Sequence, residues 1–385
     1  MNRRASSARG LLLSALLTLL LPRAGRGESS GTFRHEDYRE SGGRIVVRTD
    51  GAYFEQELGV ATQLKVEGIL DAIAGATPNG QPAPAGSDQV PLSQLHERRK
   101  AWSASLAHQF AGARLAAGIA NSRESDYVST GWSLNATREF NQKNTTLLAG
   151  VAGTDDDIRV FYQTSRARKR TNDFIVGVTQ LLDPNTSVTL NASWGRQRGY
   201  LSDPYKLVQK TTEIVPGVSL PLTFPENRPG EREKWTALLN LNHAIPGWHG
   251  ALDLAYRFYH DTYGTDAHTL EFAWFQRLGE RLILRPSFRV YGQSAAAFYH
   301  YQLDGTSIVP AQGAPRPGGP FYSSDYRLSE MRTTTAGLKL VWRVTDALSL
   351  DASYERYEMR GRDGVTPRSA YPRANIWAAG VKLAW

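Results

Sequence analysis

The sequence predicts an all-β protein that crosses a membrane as an antiparallel up-and-down β-barrel of about sixteen strands. Three observations predict this fold class. The chain begins with the pattern of an export signal, its apolar and polar residues then alternate, and the connections between the alternating runs are short and long in turn. Together these observations indicate a single exported domain.

The N-terminus has the order of features found in secretory signal peptides. Three arginines precede an apolar run, Leu11–Leu21, and small residues up to Gly27 follow it. About eleven apolar residues are too few to cross a bilayer as a helix. We therefore predict a cleaved signal peptide over residues 1–27 and an outer-membrane β-barrel domain over residues 28–385, with an uncleaved membrane anchor as the alternative.

The amino-acid composition argues against several kinds of function. The chain has no Cys, so disulfides, thiolate metal ligands and cysteine nucleophiles are excluded. The net charge is +8, but the basic residues are scattered and cluster only at Arg166–Arg170. A nucleic-acid-binding surface gathers basic residues on one element together with aromatic residues. We expect no nucleic-acid partner and interpret the cluster as a cell-surface loop that faces lipopolysaccharide.

Apolar and polar residues alternate with period two after residue 32. In the segment 251–259, Leu252 and Leu254 lie on one face of an extended chain, and Asp253 and Arg257 lie on the other. In a membrane barrel the apolar face contacts outer-membrane lipid and the polar face lines the lumen. We expect lipid contact at Leu252, Leu254, Leu338, Leu340 and Leu383. We expect the lumen to be lined by Asp253, Arg257, Arg285, Arg289, Lys339 and Arg343.

The connections differ in length at the two ends of the strands. Short turns occur at sites such as Asp183–Asn185, and long segments such as Leu201–Glu231 and His300–Asp325 fall between the short turns. This asymmetry is typical of outer-membrane barrels, in which the turns are periplasmic and the loops extracellular, and an even strand number places both termini in the periplasm. Loops this long are generally functional or disordered. We expect both segments to be extracellular and at least one to fold back towards the pore.

The last alternating run ends on an aromatic residue, Trp385, with Leu383 and Val381 on the same face. An alternating strand of this kind resembles the signal by which barrels are recognised for membrane insertion, so we expect the barrel assembly machinery as a partner. A soluble β-sandwich or a propeller is the competing fold. A chain this long would need two sandwiches, and a recurring blade motif of about forty residues is not found.

A Ser-Asp pair followed closely by Tyr occurs three times, each time at the expected extracellular end of a strand. The functional interpretation is a ring of carboxylates and phenols at the pore mouth, suited to a cation or a sugar. The alternative is that Ser and Asp cap turns while Tyr belongs to the interfacial aromatic girdle. The candidate rim residues are Asp126, Tyr127, Asp203, Tyr205, Asp325 and Tyr326.

One hairpin combines His260, Asp261, Asp266 and His268, which could supply ligands to a divalent metal. Polar hairpin tips commonly have this composition without binding anything, so we predict neither a metal site nor a cofactor. No G-x-S-x-G, H-E-x-x-H or Gly-rich phosphate-binding motif occurs. We therefore do not expect an enzyme.

Six segments resemble a family of uncharacterised outer-membrane barrels of Gram-negative bacteria, the domain-of-unknown-function family 3570. In chain order they are 71–78, 140–147, 199–205, 276–286, 293–299 and 321–328. The resemblance spans roughly residue 32 to the end and implies location and architecture, with no known activity. Members tend to be encoded near thioredoxin-like and flavin-transferring envelope proteins, which implies a periplasmic partner in a redox or metal-related system.

The charges expected in the lumen have both signs, which favours weak ion selectivity or a lumen plugged by its own loops. The first functional hypothesis is therefore a porin-like passive channel. The alternative is a non-channel barrel that acts as a scaffold or partner of an envelope redox or metal-handling system. A channel needs an open lumen, and a scaffold does not.

Overall fold

A computed structural model describes residues 29–311 and 313–385. The predicted signal peptide lies outside these residues, so it stays a prediction. Sixteen of the described strands form one closed antiparallel barrel, which confirms the predicted fold class and strand number. No helix within 29–311 or 313–385 is both long and apolar enough to span a membrane.

The strands follow one another around the barrel in chain order, except that β10 and β11 form a separate hairpin between β9 and β12. The barrel strands are β1 (Ser30–Glu40), β2 (Val46–Leu58), β3 (Thr62–Pro78), β4 (Leu92–Phe110), β5 (Ala113–Arg123), β6 (Tyr127–Phe140), β7 (Thr145–Ile158), β8 (Ala167–Asp183), β9 (Thr186–Gly199), β12 (Glu231–Ile245), β13 (Gly250–Asp261), β14 (Asp266–Leu278), β15 (Leu282–Gln293), β16 (Met331–Arg343), β17 (Leu348–Gly361) and β18 (Arg373–Ala384). The hairpin strands are β10 (Leu207–Val215) and β11 (Val218–Pro225). Short 3-10 helices occur at Asn141–Lys143, Pro246–Trp248, Tyr326–Leu328 and Arg368–Ala370.

The first and last strands close the barrel. β1 pairs with β18 over its whole length, and Ser29 and Trp385 exchange backbone hydrogen bonds of 3.2 and 3.0 Å. Closure leaves no sheet edge with unpaired backbone groups, which the hydrocarbon core would not tolerate. Both ends of the described chain therefore lie at the short-turn end of the barrel.

Residues paired across neighbouring strands share a face, so the register assigns each side chain to one side of the wall. Lys339 forms an ion pair of 2.9 Å with Asp351 on the inward face. Leu338 and Leu340, on the other face, are 49% and 41% exposed at the barrel's outer surface. The structure places all five predicted lipid-contact leucines on this outward face.

Tryptophans mark two levels of the outward surface. Trp102, Trp132, Trp194, Trp235 and Trp377 lie on the long-loop side of the apolar band, and Trp248, Trp274, Trp342 and Trp385 lie on the short-turn side. Aromatic girdles of this kind occur where membrane barrels meet the two interfaces. They indicate where the hydrocarbon region begins and ends.

Two segments expected as loops contain strands. The segment Leu201–Glu231 includes the β10–β11 hairpin. The basic cluster Arg166–Arg170, expected in a surface loop, lies largely on β8, where Arg170 binds Asp155 at 2.8 Å. Opposite charges directly across two strands stabilise the pairing, so β7 and β8 continue above the membrane where a loop was expected.

Candidate functional site

The lumen contains a cavity of about 530 Å³ at mid-barrel. Its lining comes from β9 and β12–β17, and eleven of its sixteen residues are polar or charged. The side chains that line it include Asn240, Asp253, Arg257, Thr269, Glu271, Arg285, Ser287, Arg289, Thr335 and Glu355. Four of the six predicted lumen residues are in this set. The other two, Lys339 and Arg343, are inward by register and lie nearer the short turns.

The charged groups of this cavity pair with one another across strands. Glu271 accepts hydrogen bonds from Arg289 at 3.0 Å and from Arg257 at 3.4 Å. Asp253 accepts a hydrogen bond of 2.6 Å from the Asn240 amide. Arg285 lies over the Phe275 ring, 5.1 Å from its centroid. One carboxylate therefore serves two guanidinium groups, and the three arginines of the lining are matched by three carboxylates, Asp253, Glu271 and Glu355.

A second cavity, of about 260 Å³, lies above the first one and has an unusual lining. It is surrounded by the guanidinium groups of Arg232, Arg257, Arg289 and Arg327 and by the Tyr259 and Tyr291 rings. Among the described residues, those that line this cavity include no acidic side chain. The compartment directly beneath the extracellular loops is thus rich in cationic donors.

Three long loops meet above these cavities and form what we call the cap, which comprises the described residues 79–91, 200–230, 294–311 and 313–330. Leu207 donates a backbone hydrogen bond of 2.8 Å to Asn79, and Asn227 and Tyr322 exchange two of 2.9 and 2.8 Å. The loops start from β3, β9 and β15, which are far apart around the barrel. Loops from such separate parts of the wall can meet only across the opening, so the cap covers the extracellular end of the lumen.

Buried ion pairs hold the cap together. Arg228 contacts Glu226 at 2.7 Å and Asp325 at 2.8 Å. Arg327 bonds the same Asp325 carboxylate at 2.8 Å and reaches Asp203 at 2.5 Å. The carboxylates of Glu226 and Asp325 are almost fully buried. Removing one charged residue from such a network leaves the charge of its partner uncompensated in a low-dielectric region.

Electrostatics inside the cap shift the pKa values of its ionisable groups in different directions. Burial raises the pKa of Glu226. Burial also opposes ionisation of Asp325, but the guanidinium groups of Arg327 and Arg228 outweigh it and hold the pKa of that carboxyl well below its ordinary value. Burial lowers the pKa of Lys206, whose ammonium group donates to the Pro78 carbonyl oxygen. Asp325 is therefore the anion on which the network depends.

The six predicted rim residues all lie at the long-loop end, but they do not form an open ring. Asp203 and Asp325 belong to the ion network, and Tyr326 is partly buried, with the Lys206 ammonium group 5.7 Å from its ring centroid. The Tyr205 hydroxyl donates to Asp126. Tyr127 donates to Asp156 at 2.7 Å and accepts from Lys169 at 2.6 Å. Asp203 and Asp325 also cap turns, by accepting from the backbone N–H groups of Tyr205 and Arg327 at 2.9 and 3.1 Å.

The hairpin with two histidines does not bring its four polar residues together. His260 bonds Asp266 at 2.7 Å and His268 bonds Tyr256 at 2.7 Å, both on the outward face. Asp261 points inward and binds Arg232 at 2.9 Å. Within the described ranges, no group of three or more His, Cys, Asp or Glu residues is placed to hold a metal ion.

Sequence reasoning did not single out the buried groups of the cap, Glu226, Arg228, Lys206 and Arg327. Their contacts join loops that are distant in sequence, and no local motif announces such contacts. Arg232 could have been predicted as a lumen residue, because it is two residues from the inward Lys234 on β12 and therefore lies on the same face of the strand.

A closed barrel with an apolar outward face, two aromatic girdles and short turns at one end is an outer-membrane β-barrel. The chain belongs to the family described as "Protein of unknown function (DUF3570)", whose model matches residues 21–168 and 159–368. The family resemblance inferred from the sequence is thereby confirmed. No curated protein matches the chain significantly.

Several solved barrels are similar in structure at low identity. A bacterial polysaccharide outer membrane secretin is 10% identical with a TM-score of 0.47, and the match covers 93% of this chain and 98% of the other. OccK2 (OpdF) of Pseudomonas aeruginosa, solved with glucuronate, is 10% identical with a TM-score of 0.43, over 93% and 98%. The siderophore receptor PirA of Acinetobacter baumannii is 10% identical with a TM-score of 0.43, and the match covers 88% of this chain but only 54% of that receptor. At this similarity they add nothing to what the barrel itself shows.

Proposed function

We propose that this barrel is a porin-like channel for small polar solutes whose extracellular end is closed by the cap in the conformation described. The observation that carries the proposal is the polar cavity of about 530 Å³ at mid-barrel. A lumen of sixteen strands is wide enough to hold water. A barrel that only served as a scaffold would not need a lumen with hydrated charges.

The exposure of the lumen charges supports a water-filled interior. The side chains of Arg257 and Glu271 are 45% and 43% exposed although they face inward. Charges on the inner wall of a barrel can stay ionised only if water or a counter-charge solvates them. The ion pair between these two groups is 3.4 Å long, so water contributes to their solvation.

The cap favours the alternative, a barrel that passes nothing and acts as a scaffold or partner of an envelope redox or metal-handling system. Its interior is packed, with Tyr322, Leu303 and Val208 at or below 1% exposure. A packed cap is compatible with a channel only if the cap loosens or moves. Loosening the cap therefore discriminates between the two functions.

The variant Arg228→Ala is expected to raise the conductance of the refolded protein in planar bilayers. It leaves Glu226 and Asp325 buried with one counter-charge fewer, which weakens the contact between the loops that carry them. We expect the wild-type protein to conduct rarely, and the variant to be open for a fraction of time at least about tenfold larger, since about 1.4 kcal/mol corresponds to a factor of ten.

The matched control is Arg170→Ala, which removes an arginine of an exposed ion pair on the outward rim, with Asp155 at 2.8 Å. Exposed pairs contribute little to stability, so its conductance should equal that of the wild type. Silence of both wild type and Arg228→Ala, with both barrels folded, would exclude a channel and support the scaffold.

A further inference from the structure

The charges of the lumen are separated onto two opposite walls. On β12–β16 the inward basic residues outnumber the acidic ones. They are Arg232, Lys234, Arg257, Arg277, Arg285, Arg289, Lys339 and Arg343, and the acidic ones are Asp253, Asp261 and Glu271. We call this side the basic wall. It continues upward into the cavity under the cap, where Arg327 adds a further guanidinium group.

The inward face of β1–β4 has the opposite balance and is called the acidic wall. Its carboxylates are Glu36, Glu40, Glu55, Glu57, Glu67, Asp71 and Glu97, and its basic residues are Arg34, Lys65 and Arg99. Part of this charge is paired, by Lys65 with Glu55 at 2.8 Å, by Arg99 with Asp71 at 2.5 Å, and by Arg44 of the β1–β2 connection with Glu40 at 2.9 Å. Pairing within the wall does not cancel its excess of carboxylates.

The strand order places the two walls across the lumen from each other. In the closed barrel β2, β3 and β4 are diametrically opposite β12, β13 and β14. Glu67 on β3 therefore faces the side of the lumen that carries Arg257 on β13. Glu67 lies five residues from the start of β3 and Arg257 seven from the start of β13, a difference of about 7 Å along a strand.

We infer that the channel selects solutes that carry separated positive and negative charges, that is, small zwitterions such as free amino acids. This inference rests on the proposed channel function and names its substrate class. Opposed walls of opposite sign create a field directed across the lumen, and low-dielectric walls concentrate that field. A zwitterion gains energy by turning its carboxylate to the basic wall and its ammonium group to the acidic wall. A neutral solute gains nothing, and a simple ion is attracted by only one wall and repelled by the other.

The experiment compares three small solutes of similar size in proteoliposomes. They are serine, which is zwitterionic, glycerate, which is anionic, and erythritol, which is neutral. Wild-type protein and Arg228→Ala are reconstituted, and entry is measured by vesicle swelling relative to protein-free vesicles. Serine is expected to enter at least about threefold faster than erythritol or glycerate.

Neutralising charges on one wall should abolish the preference for serine. It should also shift the ion selectivity of the channel in a direction that depends on which wall is changed. In Arg257→Gln/Arg289→Gln the serine-to-erythritol ratio should fall to about one, and the reversal potential in a salt gradient should shift towards cation preference. Glu67→Gln should shift the reversal potential towards anion preference. Arg170→Gln, on the outward rim, is the control and should change neither quantity. Resistance of each folded barrel to detergent at room temperature verifies assembly.

The outcomes separate this inference from the proposed function. If erythritol does not enter through either wild type or Arg228→Ala, the protein is not a channel. If erythritol enters and serine is no faster, or if glycerate is the fastest solute, the channel stands and the selection of zwitterions is wrong. A reversal potential that does not change in Arg257→Gln/Arg289→Gln would also overturn it.

Discussion

The variant Leu338→Arg is expected to lower the free energy of unfolding of the barrel by about 2–4 kcal/mol. Leu338 lies midway along β16 on the outward face, between the girdle residue Trp342 and the upper end of the strand, and is 49% exposed at the barrel's outer surface. A guanidinium group at this depth must be inserted into hydrocarbon or must distort the bilayer to reach water. Urea unfolding of the protein in lipid vesicles measures the loss.

The matched control is Thr335→Arg on the same strand. Thr335 faces inward and lines the mid-barrel cavity, where water and Glu355 can solvate the new charge. Its free energy of unfolding should change by less than about 1 kcal/mol, which is usual for a change in a solvated position. Equal losses in the two variants would contradict the assignment of faces and would favour a soluble fold that is buried on both sides.

The barrel could be predicted from the sequence because its two constraints act locally. A strand has period two, so lipid on one side and water on the other impose an alternation that any segment such as 251–259 shows by itself. Turn chemistry at sites such as Asp183–Asn185 then fixes where each strand ends. The number of strands could be predicted by counting the alternating runs, since each run crosses the membrane once.

The cap could not be predicted in the same way, because its contacts join residues that are far apart in the chain. Leu207 binds Asn79, and Arg228 binds Asp325. The β10–β11 hairpin is exposed along most of its length, so no lipid-facing alternation marks it. A ring of rim carboxylates and phenols was one interpretation of the repeated Ser-Asp-Tyr pattern, and turn capping was the alternative. In the structure Asp203 and Asp325 pair with arginines and also cap turns.

The separation of lumen charges could be predicted less directly than the barrel but more directly than the cap. Parity alone shows that Arg257 and Glu67 point inward, but it does not show that they are opposite each other. That second step needs the closed order of strands. Sixteen alternating runs with Leu201–Glu231 as a connection already supply this order, so the opposition of the two walls follows from the predicted topology.

The variant Asp325→Ala is expected to unfold the cap while the barrel stays intact. Asp325 is 1% exposed, pairs with Arg228 and Arg327, and accepts the backbone N–H group of Arg327 at the start of the helix Tyr326–Leu328. Its loss leaves the largely buried Arg228 guanidinium without that carboxylate and removes the partner of Arg327, which is half exposed. Removing one partner of a buried pair costs about 3–5 kcal/mol, which is a large part of what a loop assembly of this size can hold.

Hydrogen exchange measures this loss at the cap and at the barrel separately. Amides such as that of Tyr322, which bonds Asn227 at 2.8 Å, should lose protection by about two to three orders of magnitude, since about 1.4 kcal/mol is a factor of ten. Amides of β12–β16 should keep theirs. The control Asp304→Ala removes an exposed cap carboxylate that accepts from the Thr211 backbone at 2.6 Å, and its effect should stay near 1 kcal/mol or below. Unchanged protection of Tyr322 in Asp325→Ala would show that the ion network does not hold the loops together, and a parallel loss in β12–β16 would show that the cap and the barrel unfold as one unit.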